Sequence, residues 1–399
     1  MPKVEVKQVY KIFGPSPRQV IPLLEKGANK AGILKKHKHS VGVNNISFSV
    51  EAGEIFVVMG LSGSGKSTLI RCLNRLIEPT SGSILIDGKD ITKMSAPDLR
   101  EARRKKIAMV FQNFALLPHK TILENVAFGL EIQKMDQEKR REKAKEMLEI
   151  VGLKGYANAK PNELSGGMQQ RVGLARALAT EADILLMDEA FSALDPLIRK
   201  DMQNELLSLQ QKMKKTILFI THDLDEALKI GDRIAIMKDG EIVQLGTAEE
   251  ILQNPANDYV REFTQDVNRT KIITASVIMR DAESIVLEKS GRRLAARKMK
   301  DLGISSIFVT DKSGVLRGII TIDKVSALIQ GGEEKLETII DENIQSVDQE
   351  TSIDEIIPLF LHSSYPVAVV DSDKKLRGII FKSTVLAGIA GEGRNGHDA

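Results

Sequence analysis

The sequence predicts an α/β protein with a mainly parallel sheet, followed by a smaller α+β module. Three observations predict this. Short apolar runs alternate with longer stretches rich in Glu, Lys, Leu and Ala. One apolar run, IFVVM (55–59), leads through a glycine-rich loop directly into a helical pattern. The last third of the chain carries a repeat: VTDKSGVLRGII (309–320) matches VVDSDKKLRGII (369–380) at an offset of 60 residues without a gap.

The opening VEVKQVYKIF alternates like a strand and is followed by a basic stretch, Pro15–Ser40, containing Lys35, Lys36 and Lys38. That stretch reads as a solvated surface insertion, with contact to a partner or to lipid headgroups as the sharper alternative. NISFSV, a turn at Glu51–Glu54 and the strand IFVVM come next. Further strands are GSILIDG from Gly82, KIAMVF (106–111), ADILLMD (182–188), TILFITH (216–222) and DRIAIMKDGEIVQLG (232–246). Helical patterns fall at Gln137–Val151 and Gly167–Ala179, and residues 97–165 are mostly helical, as an inserted subdomain would be. The tail from Ile272 reads as two βαββα-like units of about 55 residues, each too small to bury much core alone and so expected to pack as a pair.

A chain of 399 residues is long enough for two or three domains. Its 57 basic and 54 acidic residues leave a net charge of +3, which argues against nucleic acid or another polyanion as the main partner. Cys72 is the single cysteine, so no intrachain disulfide can form and a reducing compartment fits. The start MPKVEVK has no apolar core, so no signal peptide is expected, and no apolar run approaches the ~18 residues that span a bilayer. If the protein works at a membrane, another chain must supply the span.

Gly60-Leu-Ser-Gly-Ser-Gly-Lys66-Ser67-Thr68 fits G-x-x-x-x-G-K-[ST] between a strand and a helix. Gly60, Gly63 and Gly65 let backbone N–H groups curl around a phosphate, with Ser62 and Thr68 completing the cradle and the helix N-terminus adding positive potential. Lys66 is placed to pair with β- and γ-phosphates, and the Ser67 hydroxyl to ligate Mg²⁺. ILLMDE (184–189) is an apolar strand ending in two acids. Asp188 at its tip would hold Mg²⁺, and Glu189 would accept a proton from an attacking water.

Four further stretches carry a resemblance. LSGGMQQR (164–171) resembles the signature sequence of the ABC ATPases, and SALD (192–195) resembles the D-loop that follows their catalytic acid. His222 resembles the switch histidine, and Gln112 the Q-loop glutamine. With the phosphate loop and the acidic strand end, these stand in the family's order over residues 1–265. The resemblance implies a P-loop NTPase fold with an inserted helical subdomain, in which two ATPase domains sandwich two ATP molecules head to tail. Ser165, Gly166 and Gly167 would then contact the γ-phosphate held by the partner chain, Gln112 would sense γ-phosphate and metal, and His222 would hold the γ-phosphate and the water in line. Asp195 would act across the interface. The family stacks adenine on an aromatic of the first strand, which points to Phe13, with Tyr10 as the alternative. The chain carries one such set, so a homodimer is implied.

NFALLPHKTILENVAFGL resembles the importer class, in which Phe114–Pro118 would line the groove for a coupling helix of a membrane permease. Pro15–Ser40, CLNRLIEPTSG and DLREARRKKIAMVF narrow the resemblance to ATPase subunits of glycine betaine/proline importers, which also carry tandem CBS domains, here 272–331 and 332–395. A peripheral position on the cytoplasmic face of the plasma membrane and a substrate-binding protein or domain are implied. Many CBS modules hold a ribose with T-x-x-D. Here Thr321 and Asp323 are only two apart, and the second copy reads GIIFKSTV without the acid. Two effectors remain open: cyclic di-AMP between CBS pairs, or anionic lipid on the basic segment Arg292–Lys300. The competing classes are a soluble ABC protein of translation or DNA repair and a regulatory nucleotide sensor.

Overall fold

The computed structural model describes residues 2–112, 114–265, 270, 273–287, 290–331, 335–361, 363 and 365–390. The expected boundaries at 272, at 332 and over 391–395 lie outside the described residues. The chain divides into two compact units, Met1–Gln265 and Asp266–Ala399.

The first unit opens with β1 (Val4–Phe13), followed by the helices α1 (Ile21–Glu25) and α2 (Lys30–His37) and by β2 (Ser40–Val50). The stretch expected to be a solvated insertion carries two short helices, and its Lys35, Lys36 and Lys38 are exposed. Val20, Leu24 and Ile33 are buried with Tyr10, Ile12 and Val41 in a small core of their own. β3 (Ile55–Met59) feeds α3 (Lys66–Leu73), and β4 (Ser81–Ile86) and β5 (Lys89–Asp90) follow. β1, β2, β4 and β5 form a separate antiparallel sheet in the order β2-β1-β4-β5, which the alternation of strands with helices had not distinguished from the main one.

α4 (Ala96–Lys105) starts at a Ser95 cap, and β6 (Ile107–Val110) follows it. β6 pairs in parallel with β7 (Ile184–Asp188). The inserted helical part thus begins after Val110 rather than at residue 97, because IAMV is an apolar strand that completes the main sheet. That part holds α5 (Ile122–Ile132), begun by a Thr121/Glu124 capping box, and α6 (Gln137–Ile150), capped by Asp136. α7 (Gly166–Ala179) leads into β7.

α8 (Pro196–Met213), β8 (Thr216–Thr221) and α9 (Leu224–Ile230) come next. The run 232–246 is a hairpin of β9 (Arg233–Lys238) and β10 (Glu241–Gly246), turned at Asp239-Gly240 with φ of 52° and 91°. Asp-Gly suits such a turn because both central residues need positive φ. α10 (Ala248–Gln253) and α11 (Asp258–Thr264) close the unit. The main sheet runs β10-β9-β3-β8-β7-β6, parallel except for β10. β3, β7 and β8 are buried along their whole length, which explains their unbroken apolar sequences. The phosphate loop after β3 and the acidic end of β7 therefore sit at the carboxyl edge of the parallel sheet, on either side of β8, where such sheets hold ligands.

The second unit repeats one pattern. α12 (Ala275–Ile278) precedes β11 (Ser284–Val286), α13 (Arg292–Asp301), β12 (Ser306–Thr310), β13 (Leu316–Thr321) and α14 (Ile322–Gly331). β14 (Ser346–Asp348), α15 (Ile353–Ile356), β15 (Val367–Val370), β16 (Leu376–Ile380) and α16 (Lys382–Ala390) form the second copy. Each copy has a three-stranded sheet. The copies are exchanged at their edges: Arg280 pairs with Ile379, and Asp341 with Ile319. Gly318 and Gly378 permit this approach, since a Cβ at Gly318 would lie 2.5 Å from Asp341 O and one at Gly378 would lie 2.7 Å from Met279 Sδ.

Candidate functional site: the phosphate loop and the acidic strand end

The loop between β3 and α3 needs its glycines for steric reasons. Gly60, Gly63 and Gly65 have φ of 150°, 82° and 106°, conformations that a Cβ would strain. A Cβ at Gly60 would also lie 2.2 Å from Met237 O, and one at Gly65 would lie 2.1 Å from Gly42 O. Lys66, only 4% exposed, arches back so that its Nζ donates to Gly60 O at 2.7 Å and Leu61 O at 3.1 Å. Burial pulls the pKa of this ammonium below its ordinary value, and Glu189 and Asp188 offset part of that. A buried cation held by two loop carbonyls at the start of α3, with a carboxylate 3.9 Å away, suits a polyanion.

Ser67 Oγ donates to Asp188 Oδ1 at 2.9 Å, so two of the three groups expected to serve Mg²⁺ stand side by side, while the third, Gln112, bonds Glu189 and Ser192. Among the described residues no cluster of three or more His, Cys, Asp or Glu forms a metal cage. That fits Mg²⁺, which takes one or two protein oxygens and completes its shell with phosphate and water. Arg71, one turn beyond Ser67 on α3, also reaches Asp188 Oδ2 at 3.4 Å. Sequence reading missed it, although the i, i+4 spacing from Ser67 was visible.

Glu189 follows β7 with φ of 46°, an uncommon conformation for a side chain of its size. Its amide donates to Ile220 O at 3.0 Å, and its carbonyl accepts from Ser192 N at 3.2 Å and Ser192 Oγ at 2.9 Å. The carboxylate is thereby turned into the site. Its Oε2 lies 3.3 Å from Gln112 Nε2 and 3.3 Å from His222 Nδ1, and Gln112 Nε2 also donates to Ser192 Oγ at 3.2 Å. Gln112, Glu189 and His222, each far from the others in sequence, thus meet on one carboxylate. Ser192 is a fourth member whose role the SALD motif alone did not reveal.

Phe13 and Tyr10 part company. Tyr10 is buried in the small core beside α2, whereas Phe13 is 41% exposed with Lys11 Nζ 4.9 Å from its ring centroid. Gly42 lies between Phe13 and Thr68: a Cβ there would be 3.1 Å from Phe13 Cε2 and 3.0 Å from Thr68 Cγ2. Phe13 is therefore the aromatic that flanks the loop. Ser62 is exposed on the loop's crest.

Ser165, Gly166 and Gly167 stand apart. Ser165 caps α7, its Oγ accepting from Met168 N at 3.4 Å, and Asp195 caps α8 through Ile198 N at 3.1 Å. A Cβ at Gly167 would lie 2.5 Å from Ile198 Cγ2, so that glycine serves the close packing of α7 on α8. Among the described residues no hydrogen bond or ion pair joins Ser165, Gly166, Gly167 or Asp195 to the phosphate loop. Gln170 of α7 is buried with neither side-chain polar atom paired.

Chemically the cluster suits hydrolysis of a phosphoanhydride. A water beside Glu189 would give its proton to the carboxylate as its oxygen bonds the terminal phosphorus. The bridging P–O bond would break with its electrons passing to the departing diphosphate, whose charge Lys66 and the loop amides receive.

Comparison with known proteins agrees. The family described as "ABC transporter" matches residues 43–192, and "CBS domain" matches twice, at 272–331 and 336–391. The glycine betaine/carnitine transport ATP-binding protein GbuA of Listeria monocytogenes is 54% identical over 391 residues, 98% of each chain. The glycine betaine transport ATP-binding protein OpuAA of Bacillus subtilis is 54% identical over 389 residues, 98% of this chain and 93% of that protein. Among solved structures, a dimeric post-hydrolysis state of the ATP-binding cassette MJ0796 bound to ADP and Pi matches with a TM-score of 0.53 and 34% identity, covering 61% of this chain and 98% of that one. The fold and the site define an ABC-type ATPase. The chain belongs to the ABC transporter ATP-binding proteins that carry tandem CBS domains.

Proposed function

We propose that a homodimer of this chain hydrolyses MgATP to drive import of glycine betaine or a related compatible solute, proline betaine or proline, for osmoprotection. The clustering of Lys66, Gln112, Asp188, Glu189 and His222 at the carboxyl edge of the main sheet carries the motor part of this reading. The separation of Ser165–Gly167 from the chain's own phosphate loop supports completion of each site by the partner's signature helix, whose N-terminus would face the γ-phosphate. Phe13 would stack on adenine. The betaine relatives named above supply the solute. Among the described residues no helix is long and apolar enough to cross a membrane. A permease subunit therefore supplies the path, a substrate-binding protein or domain delivers the solute, and this chain sits peripherally on the cytoplasmic face.

The C-terminal module would set the transport rate. A cleft of about 990 Å³ is lined from both copies by Arg280, Thr321, Asp323, Tyr365, Phe381 and Lys382. Aromatic faces and cations together suit cyclic di-AMP, with two bases and a phosphate ring. Anionic lipid on α13 is the less favoured effector, because Lys298 pairs with Glu283 at 2.7 Å and Arg297 with Asp301 at 3.5 Å.

Salt-stimulated uptake of labelled glycine betaine tests the main reading, in cells lacking other betaine carriers and expressing the cognate transporter with wild-type chain or Glu189→Gln. Uptake that needs Glu189 supports both motor and solute. Equal uptake with both chains removes the solute assignment or gives the driving role to another ATPase. Saturable binding of cyclic di-AMP to the full chain by equilibrium dialysis, weakened in Phe381→Ala, tests the effector, and its absence removes it.

A further inference from the structure

The segment between β1 and β2 contributes nothing to the hydrolytic cluster, yet it is built against the phosphate loop. Asn29 caps α2, its Oδ1 accepting from Gly32 N at 2.7 Å, and Ile33 is buried in the small core with Tyr10 and Ile12. These two contacts fix the rotation of the helix. Lys30, three residues before Ile33 and so on the same face, reaches the loop, where its Nζ donates to Gly63 O at 2.9 Å. The base of the segment is closed as well: the His39 ring lies with Nε2 2.5 Å from Pro15 O and Nδ1 2.6 Å from His37 O.

The next carbonyl of the loop is also held from outside, since Ser64 O accepts from Gly240 N at 2.9 Å. Across a trans peptide the C=O and the following N–H point in opposite directions. Holding the Gly63 and Ser64 carbonyls outward therefore aims the Ser64 and Gly65 amides toward the inside of the loop. Ser64 N indeed donates across the loop to Leu61 O at 3.2 Å. The orientation of those amides is what an anion in the loop meets.

We propose that Lys30 is a positioning residue of the nucleotide site, and that the segment 15–40 is a brace that keeps the phosphate loop arched, by way of the Lys30–Gly63 hydrogen bond. Lys30 does not touch the nucleotide. It sets the geometry of groups that do, and it acts on the diphosphate portion common to ATP and ADP. The proposal rests on the reading of this loop as an ATP site.

Steady-state ATPase of the assembled transporter and ADP binding to the full chain test it, comparing wild type with Lys30→Ala, Lys30→Arg and, as a control for surface charge, Lys36→Ala at the exposed last turn of α2. Loss of one charge-assisted hydrogen bond should raise the KM for ATP and the Kd for ADP by about fivefold. We expect kcat to stay within about twofold of wild type, Lys30→Arg to restore both constants and Lys36→Ala to change neither. Lys30→Ala with wild-type KM and Kd overturns the proposal. So does a joint fall of kcat and Tm at unchanged KM, which would mark a merely structural lysine, and so does an equal effect of Lys36→Ala. A wild-type chain that neither binds ADP nor hydrolyses ATP would instead remove the underlying ATPase reading.

Discussion

The phosphate site and the C-terminal cleft are assembled in opposite ways. At the phosphate site, stretches from Lys66 to His222 deliver one copy each of lysine, glutamine, aspartate, glutamate and histidine, and each is held by a named partner, Gln112 and His222 by the same Glu189 carboxylate. In the C-terminal module two stretches of nearly the same sequence build the same turn twice. Asp311 accepts from Ser313 N and Val315 N and pairs with Arg317, and Asp371 accepts from Asp373 N and Lys375 N and pairs with Arg377. The turns clasp each other, with Leu316 N donating to Lys374 O and Leu376 N to Gly314 O. The repeat thus preserves scaffold, while the residues facing the cleft diverge: Thr321 and Asp323 on one side, Phe381 and Lys382 on the other. Chemistry is concentrated where side chains are unique, and architecture where they recur.

Substitutions can break this contrast, beginning with the largest effect. Glu189→Gln removes the base but leaves the loop and Lys66 in place, so ATPase turnover should fall by about 10²–10⁴-fold while ATP still binds, as nucleotide binding and phosphate release would register. If the module is scaffold, Gly378→Ala should act on stability alone. Its new Cβ would press on Met279 and the Arg280 carbonyl, costing about 1–3 kcal/mol. Calorimetry of the full chain should show one lowered transition with the KM for ATP unchanged, and a shifted KM would dissolve the contrast.

The turn carboxylates give a smaller, pH-dependent effect. The Ser313 hydroxyl, backbone amides and Arg317 hold the Asp311 carboxyl down at about 2. A depressed folded pKa gives stability that is present above the ordinary carboxylate value and lost as pH falls through the folded one. The contribution should therefore fade between about pH 4 and about pH 2. Asp311→Asn should flatten the acid limb of thermal stability there and nowhere else. The smallest effect is expected at Cys72, fully buried, whose thiol burial pushes up to about 12. The native chain should resist alkylation at pH 8, and rapid labelling without unfolding would show that α3 opens beneath the phosphate loop.

Much of the phosphate site was legible before any coordinates. A strand, a glycine-rich loop, a helix and an acidic strand end are local signals, and each names its own chemistry. The meeting of Gln112 and His222 on one carboxylate was legible only through family resemblance, because nothing local in a lone glutamine or histidine declares its partner, and the part of Ser192 was not legible at all. Arg71 was missed for lack of a motif. Phe13 and Tyr10 could not be separated by sequence, since strand alternation does not say which aromatic a neighbouring helix will cover.

Local pattern by itself determined most strands of the main sheet, a glycine loop of the kind that suits a phosphate, and that the tail is duplicated, because periodicity, glycine φ and capping act over a few residues. Tertiary structure decided what depends on distance. It put β1, β2, β4 and β5 into a sheet of their own, and it moved the start of the helical insertion beyond β6. It exchanged the edges of the two repeats, and it gave the basic stretch 15–40 a small core and a Lys30 contact to the phosphate loop while leaving Lys35, Lys36 and Lys38 in solvent. Strand order, edge pairing and the reach of a lysine are settled by which surfaces can be buried together, a property of the whole packed unit that no short window of sequence contains.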